Sequence, residues 1–184
     1  EKIIEAEFVV DAYNYHGMVD KEFSINPFLP EHPNELLHSG NFNRDVDVLF
    51  GFNKDEGLWY MSYLIDDATL YDEWLQGWDN YGPRYLFDLK GDEVTQEVVD
   101  AAFEVLQYYL DPNYEQNFNE DHFQNLTDMF SDSNFFYGGY QTTRLMLQHS
   151  QQRIYQYELT YVGENSNLNF YGIDTIGVCH SDDL

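Results

Sequence analysis

Lysine and arginine are scarce: 8 stand against 34 aspartates and glutamates, giving a formal net charge of −26. Counterion release from nucleic acid and attraction to anionic lipid both need clustered cations. The composition therefore argues against nucleic acid and anionic membrane surfaces as partners. Cysteine is nearly absent. Cys179 alone cannot form a disulfide within the chain, and one thiol does not decide the redox compartment. No run of about 18 apolar residues occurs, so no membrane span is expected. No N-terminal secretory signal is visible. The histidines at 16, 32, 38, 122 and 149 lack metal-ligand spacing, and no metal is expected. The sequence opens on Glu1 rather than methionine and stops at Leu184 directly after a histidine motif. Both ends are expected to be cuts in a longer chain.

What is present suits one ordinary domain. A length of 184 residues can bury a core. Apolar residues at 43% and aromatics at 18% exclude a disordered acidic tail. The 16 tyrosines and 14 phenylalanines favour strands and large core contacts. The acidic excess reads first as a solvated surface, and it is also compatible with attraction of a cationic ligand.

Along the chain, Asp45 to Phe52 places Val46, Val48, Phe50 and Phe52 at even positions against Asp45, Asp47 and Gly51 at odd ones. Such period-two alternation predicts a β-strand. A polar turn follows, closed by Gly57. Arg153 to Tyr161 predicts a second strand, with Tyr155, Tyr157, Leu159 and Tyr161 on one face. Helices are expected over 31–39, ended by Gly40, and over 57–64, 67–78, 93–110, 119–130 and 135–149. The clearest is 93–110, where Val94, Val98, Ala101, Val105 and Tyr108 recur at helical spacing, with Asp92 as cap and Pro112 beyond the end. Ser131-Asp132-Ser133 is expected to break one helix and cap the next. Residues 1–30 read as irregular, with one strand at most, and 163–169 as a loop. The fold class is α/β, with an incomplete sheet flanked by helices and two functional loops at one sheet edge.

Two residues carry candidate chemistry. Glu56 lies just past the carboxyl end of the first strand, where α/β sheets collect function. His180 follows the second strand. A glutamate in a polar turn is ordinarily solvated, and a lone histidine is ordinarily structural. As a pair after successive strands, they match the second and third members of a nucleophile triad. Cys179 beside His180 suggests a thiol nucleophile. Neighbours in extended chain point to opposite sides, so a small packed residue is the better reading. Asp45, Asp47 and Glu56 have the spacing of calcium-loop positions 1, 3 and 12, but Leu49 and Phe50 stand where a ligand and a glycine are needed. The aromatics Trp59, Tyr60, Tyr63, Tyr71, Trp74, Trp78 and Tyr81 follow the acid turn and read mainly as core, with some left over to line a pocket. Asn125-Leu126-Thr127 is a glycosylation sequon.

Several stretches together resemble the C-terminal half of the type-B carboxylesterase family, which includes cholinesterases and juvenile hormone esterases. Phe28-Leu29-Pro30-Glu31-His32-Pro33 with Glu35-Leu36-Leu37 resembles the segment before the family's acid strand. Asn53-Lys54-Asp55-Glu56-Gly57 resembles the acid loop. Phe135 to Arg144 and Ile154-Tyr155-Gln156-Tyr157-Glu158-Leu159-Thr160-Tyr161 resemble the helix and strand before the histidine. Gly177-Val178-Cys179-His180-Ser181-Asp182-Asp183-Leu184 resembles the histidine loop.

The resemblance implies that residues 1–184 are the C-terminal part of one α/β-hydrolase domain. It implies Glu56 as triad acid, His180 as triad base and Asp55 as the acid's neighbour. The reaction would be hydrolysis of a small carboxylic ester through an acyl-enzyme, without cofactor or metal. The family's Gly-x-Ser-x-Gly elbow and its glycine-rich oxyanion loop are absent from this sequence. The nucleophile would come from the remainder of the hydrolase domain, so the chain alone is expected to be inactive. It is also expected to expose a sheet edge and an apolar face, and hence to aggregate. The resemblance leaves two other readings: a non-catalytic adhesion or recognition ectodomain, and an inactive truncated fragment. Secretion is expected from the family and from the sequon at Asn125. The histidine loop favours a broad carboxylesterase over a cholinesterase.

Overall fold

A computed structural model describes residues 19–64, 68–87, 89, 94–110, 120–170, 172–174 and 176–184. Its elements run α1 (Pro33–Ser39), β1 (Val48–Asn53), α2 (Leu58–Met61), α3 (Ala68–Gln76), α4 (Trp78–Phe87), α5 (Gln96–Leu110), α6 (Glu120–Ser131), a π-helical turn (Asp132–Phe136), α7 (Tyr137–His149), β2 (Ile154–Leu159) and α8 (Asn167–Phe170). Much of the stretch 1–30 read as irregular (residues 1–18), the cap Asp92 and Pro112 lie outside the described residues. Among the described residues, no helix is long and apolar enough to cross a membrane.

β1 and β2 pair as a two-stranded sheet. The Val48 N–H donates to the Arg153 carbonyl and the Lys54 N–H to the Leu159 carbonyl, so both strands advance together and the pair is parallel. The first strand starts later than its alternation predicts. Asp47 takes the Arg153 N–H on one carboxylate oxygen at 3.0 Å and the guanidinium on the other at 2.7 Å. A side chain thus occupies the place of the next ladder bond, and backbone pairing begins at Val48. The sheet is thinly covered: Leu49 is 68% exposed, and Tyr155 and Tyr157 are also exposed.

The chain divides into two compact units. One takes in Phe52–Phe136 and Glu158–Leu184, and its core is aromatic. Trp74 meets Trp78 edge-on at 4.9 Å between ring centroids, and Tyr60 stacks on Phe130 at 5.1 Å. α5 contributes Ala102, Leu106 and Leu110, four residues apart and all buried. The Trp78 indole N–H donates to the Ala102 carbonyl at 3.0 Å, so the largest core side chain is also polar-satisfied. The helix expected over 67–78 is two helices. It closes at Gln76, and α4 restarts at Trp78 with Pro83 inside it. Gly82 makes this packing possible, because a Cβ there would stand 2.6 Å from the Trp78 ring.

The break expected at Ser131–Ser133 does not occur. Ser131 and Ser133 donate their hydroxyls back to the Thr127 and Met129 carbonyls at 2.8 and 2.7 Å. Such back-bonding bends a helix rather than ending it, and the backbone passes through the π turn 132–136. Tyr109 of α5 ties down the start of that turn by donating to Asp132 Oδ2 at 2.6 Å. Burial and this carboxylate push its phenol pKa up. The stretch read as a loop over 163–169 contains the start of the short α8.

The second unit takes in Tyr13–Gly51 and Tyr137–Tyr157. α1 starts at Pro33 and stops at Gly40, whose φ of 72° suits a residue without a side chain. His149 at the end of α7 bonds the His38 carbonyl at 3.0 Å, and Ser150 donates to the Arg44 carbonyl at 3.0 Å.

The core position makes a prediction. Leu106→Ala should lower the unfolding free energy by about 2–5 kcal/mol. Leu147→Ala, at a site 56% exposed, should cost no more than about 0.5 kcal/mol. Urea melts read both, and equal losses would contradict a core centred on α5.

Candidate functional site

The turn after β1 folds back on itself. Glu56 turns its carboxylate onto the Asn53 N–H, which donates to Oε1 at 2.8 Å. Its other oxygen, Oε2, lies 2.7 Å from His180 Nδ1. The Glu56 side chain is only 6% exposed and the His180 side chain 38%. Burial with both oxygens engaged fixes the carboxylate, and a charge-assisted bond of this length orients the ring. Because the carboxylate only accepts, Nδ1 carries the hydrogen. Nε2 is then the proton-accepting nitrogen of the neutral ring.

Two aromatic rings flank the imidazole. Trp59 of α2 stacks on it at 5.2 Å and 30°, and Phe135 of the π turn lies at 5.0 Å and 44°. Both restrict rotation of the ring. α2 begins directly after Gly57, so the acid and Trp59 share one rigid turn. Gly57 docks that turn on α6: its N–H donates to Ser131 Oγ at 2.9 Å, and a Cβ would collide with the Thr127 carbonyl.

The histidine loop is held by polar side chains. Asp55 faces away from the imidazole contact, accepting from the Val178 N–H at 3.0 Å and from Gln124 at 3.2 Å. Asn53 Nδ2 donates to the Cys179 carbonyl at 2.8 Å. Asp182 accepts from the Cys179 N–H at 2.8 Å, the Ser166 hydroxyl at 2.9 Å and the Asn167 N–H at 2.7 Å. Ser181 takes a left-handed φ of 71°, which turns the chain back so that Asp182 reaches its targets.

The structure therefore brings Glu56 and His180 together and sets the remaining candidates elsewhere. Asn125 lies on α6, partly buried, with its sequon partner Thr127 fully buried and donating its hydroxyl to the Phe123 carbonyl at 2.9 Å. Cys179 packs with Leu58, Leu168 and Ile173. Among the described residues, no group of three His, Cys, Asp or Glu side chains could hold a metal ion. The sequence placed Asn53 in the acid loop and Asp182 in the histidine loop without a role for either, and it gave no sign that Phe135 meets the imidazole. Only Asp182, two residues past the histidine, carried a usable signal.

Cys179 supplies a check on this packing. Burial, then the nearby Asp182, pushes its thiol pKa up to about 12, so the reactive thiolate is scarce at pH 8. Iodoacetamide at pH 8 should modify the folded chain at least about a hundredfold more slowly than the urea-unfolded chain. Equal rates would contradict the buried placement.

A family model described as the carboxylesterase family matches residues 2–184. Venom carboxylesterase-6 of Apis mellifera is 26% identical over 171 residues, 91% of this chain and 30% of that relative. Cholinesterase 1 of Branchiostoma lanceolatum is 36% identical over 69 residues, 35% of this chain and 19% of that relative. The matched segments thus cover less than a third of the length of either curated relative. Matched over nearly its whole length, the chain belongs to the carboxylesterase family, whose α/β-hydrolase fold is compatible with these helices and their two-stranded parallel sheet as part of such a domain.

Proposed function

We propose that residues 1–184 form the C-terminal part of a single carboxylesterase-type hydrolase domain, supplying the acid and the base of a Ser-His-Glu triad. The observation that carries this is the 2.7 Å contact between Glu56 Oε2 and His180 Nδ1. The nucleophilic serine and the oxyanion donors would come from the remainder of the domain.

His180 Nε2 takes the proton of that serine as its oxygen attacks the ester carbonyl. Glu56 holds the Nδ1–H tautomer and stabilises the imidazolium. The imidazolium then returns the proton to the departing alkoxide, leaving an acyl-serine and free alcohol. Water, deprotonated by the same nitrogen, attacks the acyl-serine; the imidazolium then protonates the departing serine oxygen, the acid is released and the neutral base is restored. No cofactor or metal enters these steps. Trp59 and Phe135 keep the ring in place throughout.

The substrate is a small carboxylic ester, taken by a broad carboxylesterase. The relative named as a carboxylesterase aligns over 91% of the chain and the one named as a cholinesterase over 35%. Those same relationships support a secreted protein, with Asn125 as the glycosylation candidate.

The isolated 184-residue chain should neither turn over an aryl ester nor label with a fluorophosphonate, since it has no serine elbow. The longer protein should do both. There, Glu56→Gln should lower kcat by about 10⁴-fold through loss of the tautomer. Serine-dependent turnover by the isolated chain would overturn the division of the triad. A longer protein that folds but never labels would favour the adhesion or recognition reading.

A further inference from the structure

The turn 53–56 touches the histidine loop at successive points, and only one of them is the imidazole contact. The Asp55 N–H donates to the Val178 carbonyl at 3.0 Å, and the Val178 N–H donates back to Asp55 Oδ2 at 3.0 Å. Val178 is thus clamped from both of its backbone groups by one residue, 123 positions away in sequence. The second Asp55 oxygen accepts from Gln124 Nε2 at 3.2 Å, which steers the carboxylate from α6. Asp55 is 4% exposed. Gly177 leaves the room this arrangement needs: a Cβ there would stand 2.7 Å from Asp55 Oδ2 and 2.7 Å from Leu58 Cδ1.

Beyond Val178 the chain has little freedom before it reaches His180. The Cys179 carbonyl is held by Asn53 and its N–H by Asp182, while its side chain is fully buried. The His180 carbonyl accepts from Asn167 Nδ2 at 3.1 Å. A shift of Val178 is therefore passed to the imidazole rather than absorbed. Asp55 and Glu56 are adjacent, so the residue that clamps the base loop and the residue that receives the base move together.

The geometry points to Asp55 as a positioning residue for His180: it transmits the location of the acid turn to the base loop and so sets the Glu56–His180 distance. This rests on the triad reading above. Asp55 touches neither the imidazole nor any reacting atom in that scheme, and it acts through Val178. A carboxylate serves better than an apolar filler because only an acceptor can hold the Val178 N–H, and the second oxygen must answer Gln124.

The test uses the longer, ester-cleaving protein, with steady-state kinetics on an aryl ester. Asp55→Ala should lower kcat by about 10²-fold, the cost of a misplaced catalytic group, with KM held within about threefold. Asp55→Asn keeps an acceptor for the Val178 N–H and gives up only the longer Gln124 contact, whose Nε2 stays bonded to Asp128 Oδ1 at 2.8 Å. It should recover kcat to within about fivefold of the parent, a rescue that loss of bulk packing would not produce. If Asp55→Ala does not fold, Gly177→Ala decides, since it keeps every hydrogen-bonding group and displaces the carboxylate. A kcat fall of about tenfold or more at unchanged KM supports the assignment. Parental kcat in the alanine variants, or no difference between Asp55→Asn and Asp55→Ala, overturns it. Glu56→Gln and His180→Ala run alongside. If they are inactive while Asp55→Ala keeps its kcat, the triad stands and the positioning role falls. If they keep full activity, the triad itself falls.

Discussion

One hydrogen bond between a carboxylate and an imidazole, Glu56 Oε2 to His180 Nδ1 at 2.7 Å, joins stretches 124 residues apart. Almost everything around it fixes one end or the other. On the acid side, the Asn53 N–H occupies the second carboxylate oxygen, and Gly57 presses the turn onto α6. On the base side, the loop is held by Asp55, Asn53, Asp182 and Asn167. A buried carboxylate costs several kcal/mol unless its acceptors are filled. Here both oxygens have donors, and the energy of burial becomes positional order in the histidine.

The aromatic core supports the same contact from the other direction. Trp59 and Tyr60 are neighbours on α2, yet Tyr60 stacks on Phe130 within the core and Trp59 stacks on His180. The π turn brings Phe135 to the ring's other neighbourhood, and Tyr109 anchors its first residue. A π turn bonds residues five apart and so brings Phe135 toward the side that Phe130 occupies, where both rings meet Tyr60. The site is thus a by-product of how the core helices end, rather than an addition to a finished fold.

Much of this was legible in the sequence, for identifiable reasons. The alternation ending at Phe52 followed by a glycine-bounded polar turn marked the acid turn, because both signals are local. Gly40 as a helix stop and the existence of helix α5 were local as well, but the face read from Val94, Val98, Ala101, Val105 and Tyr108 is not the buried one: Ala102, Leu106 and Leu110 are buried, and Tyr108 is 83% exposed. His180 became a candidate through its place after the second strand and through family resemblance, since a lone histidine in a loop says little. What failed was non-local. Ser131 and Ser133 have the composition of a break, but their hydroxyls find carbonyls one turn back. Pro83 and Gly82 speak against a helix, yet the Trp78 ring needs the space that Gly82 leaves. Asp55 and Asp182 look like ordinary turn carboxylates. Their work depends on partners that only the folded chain brings near.

The most direct test is complementation: this chain combined with the serine-bearing remainder that the proposed function requires, in a single-turnover assay of acyl-enzyme formation. The account requires that neither part reacts alone, that the mixture acylates, and that acylation is lost when the chain carries His180→Ala. Acylation that survives His180→Ala would show that the base lies elsewhere, and the Glu56–His180 contact would then be a structural bond only.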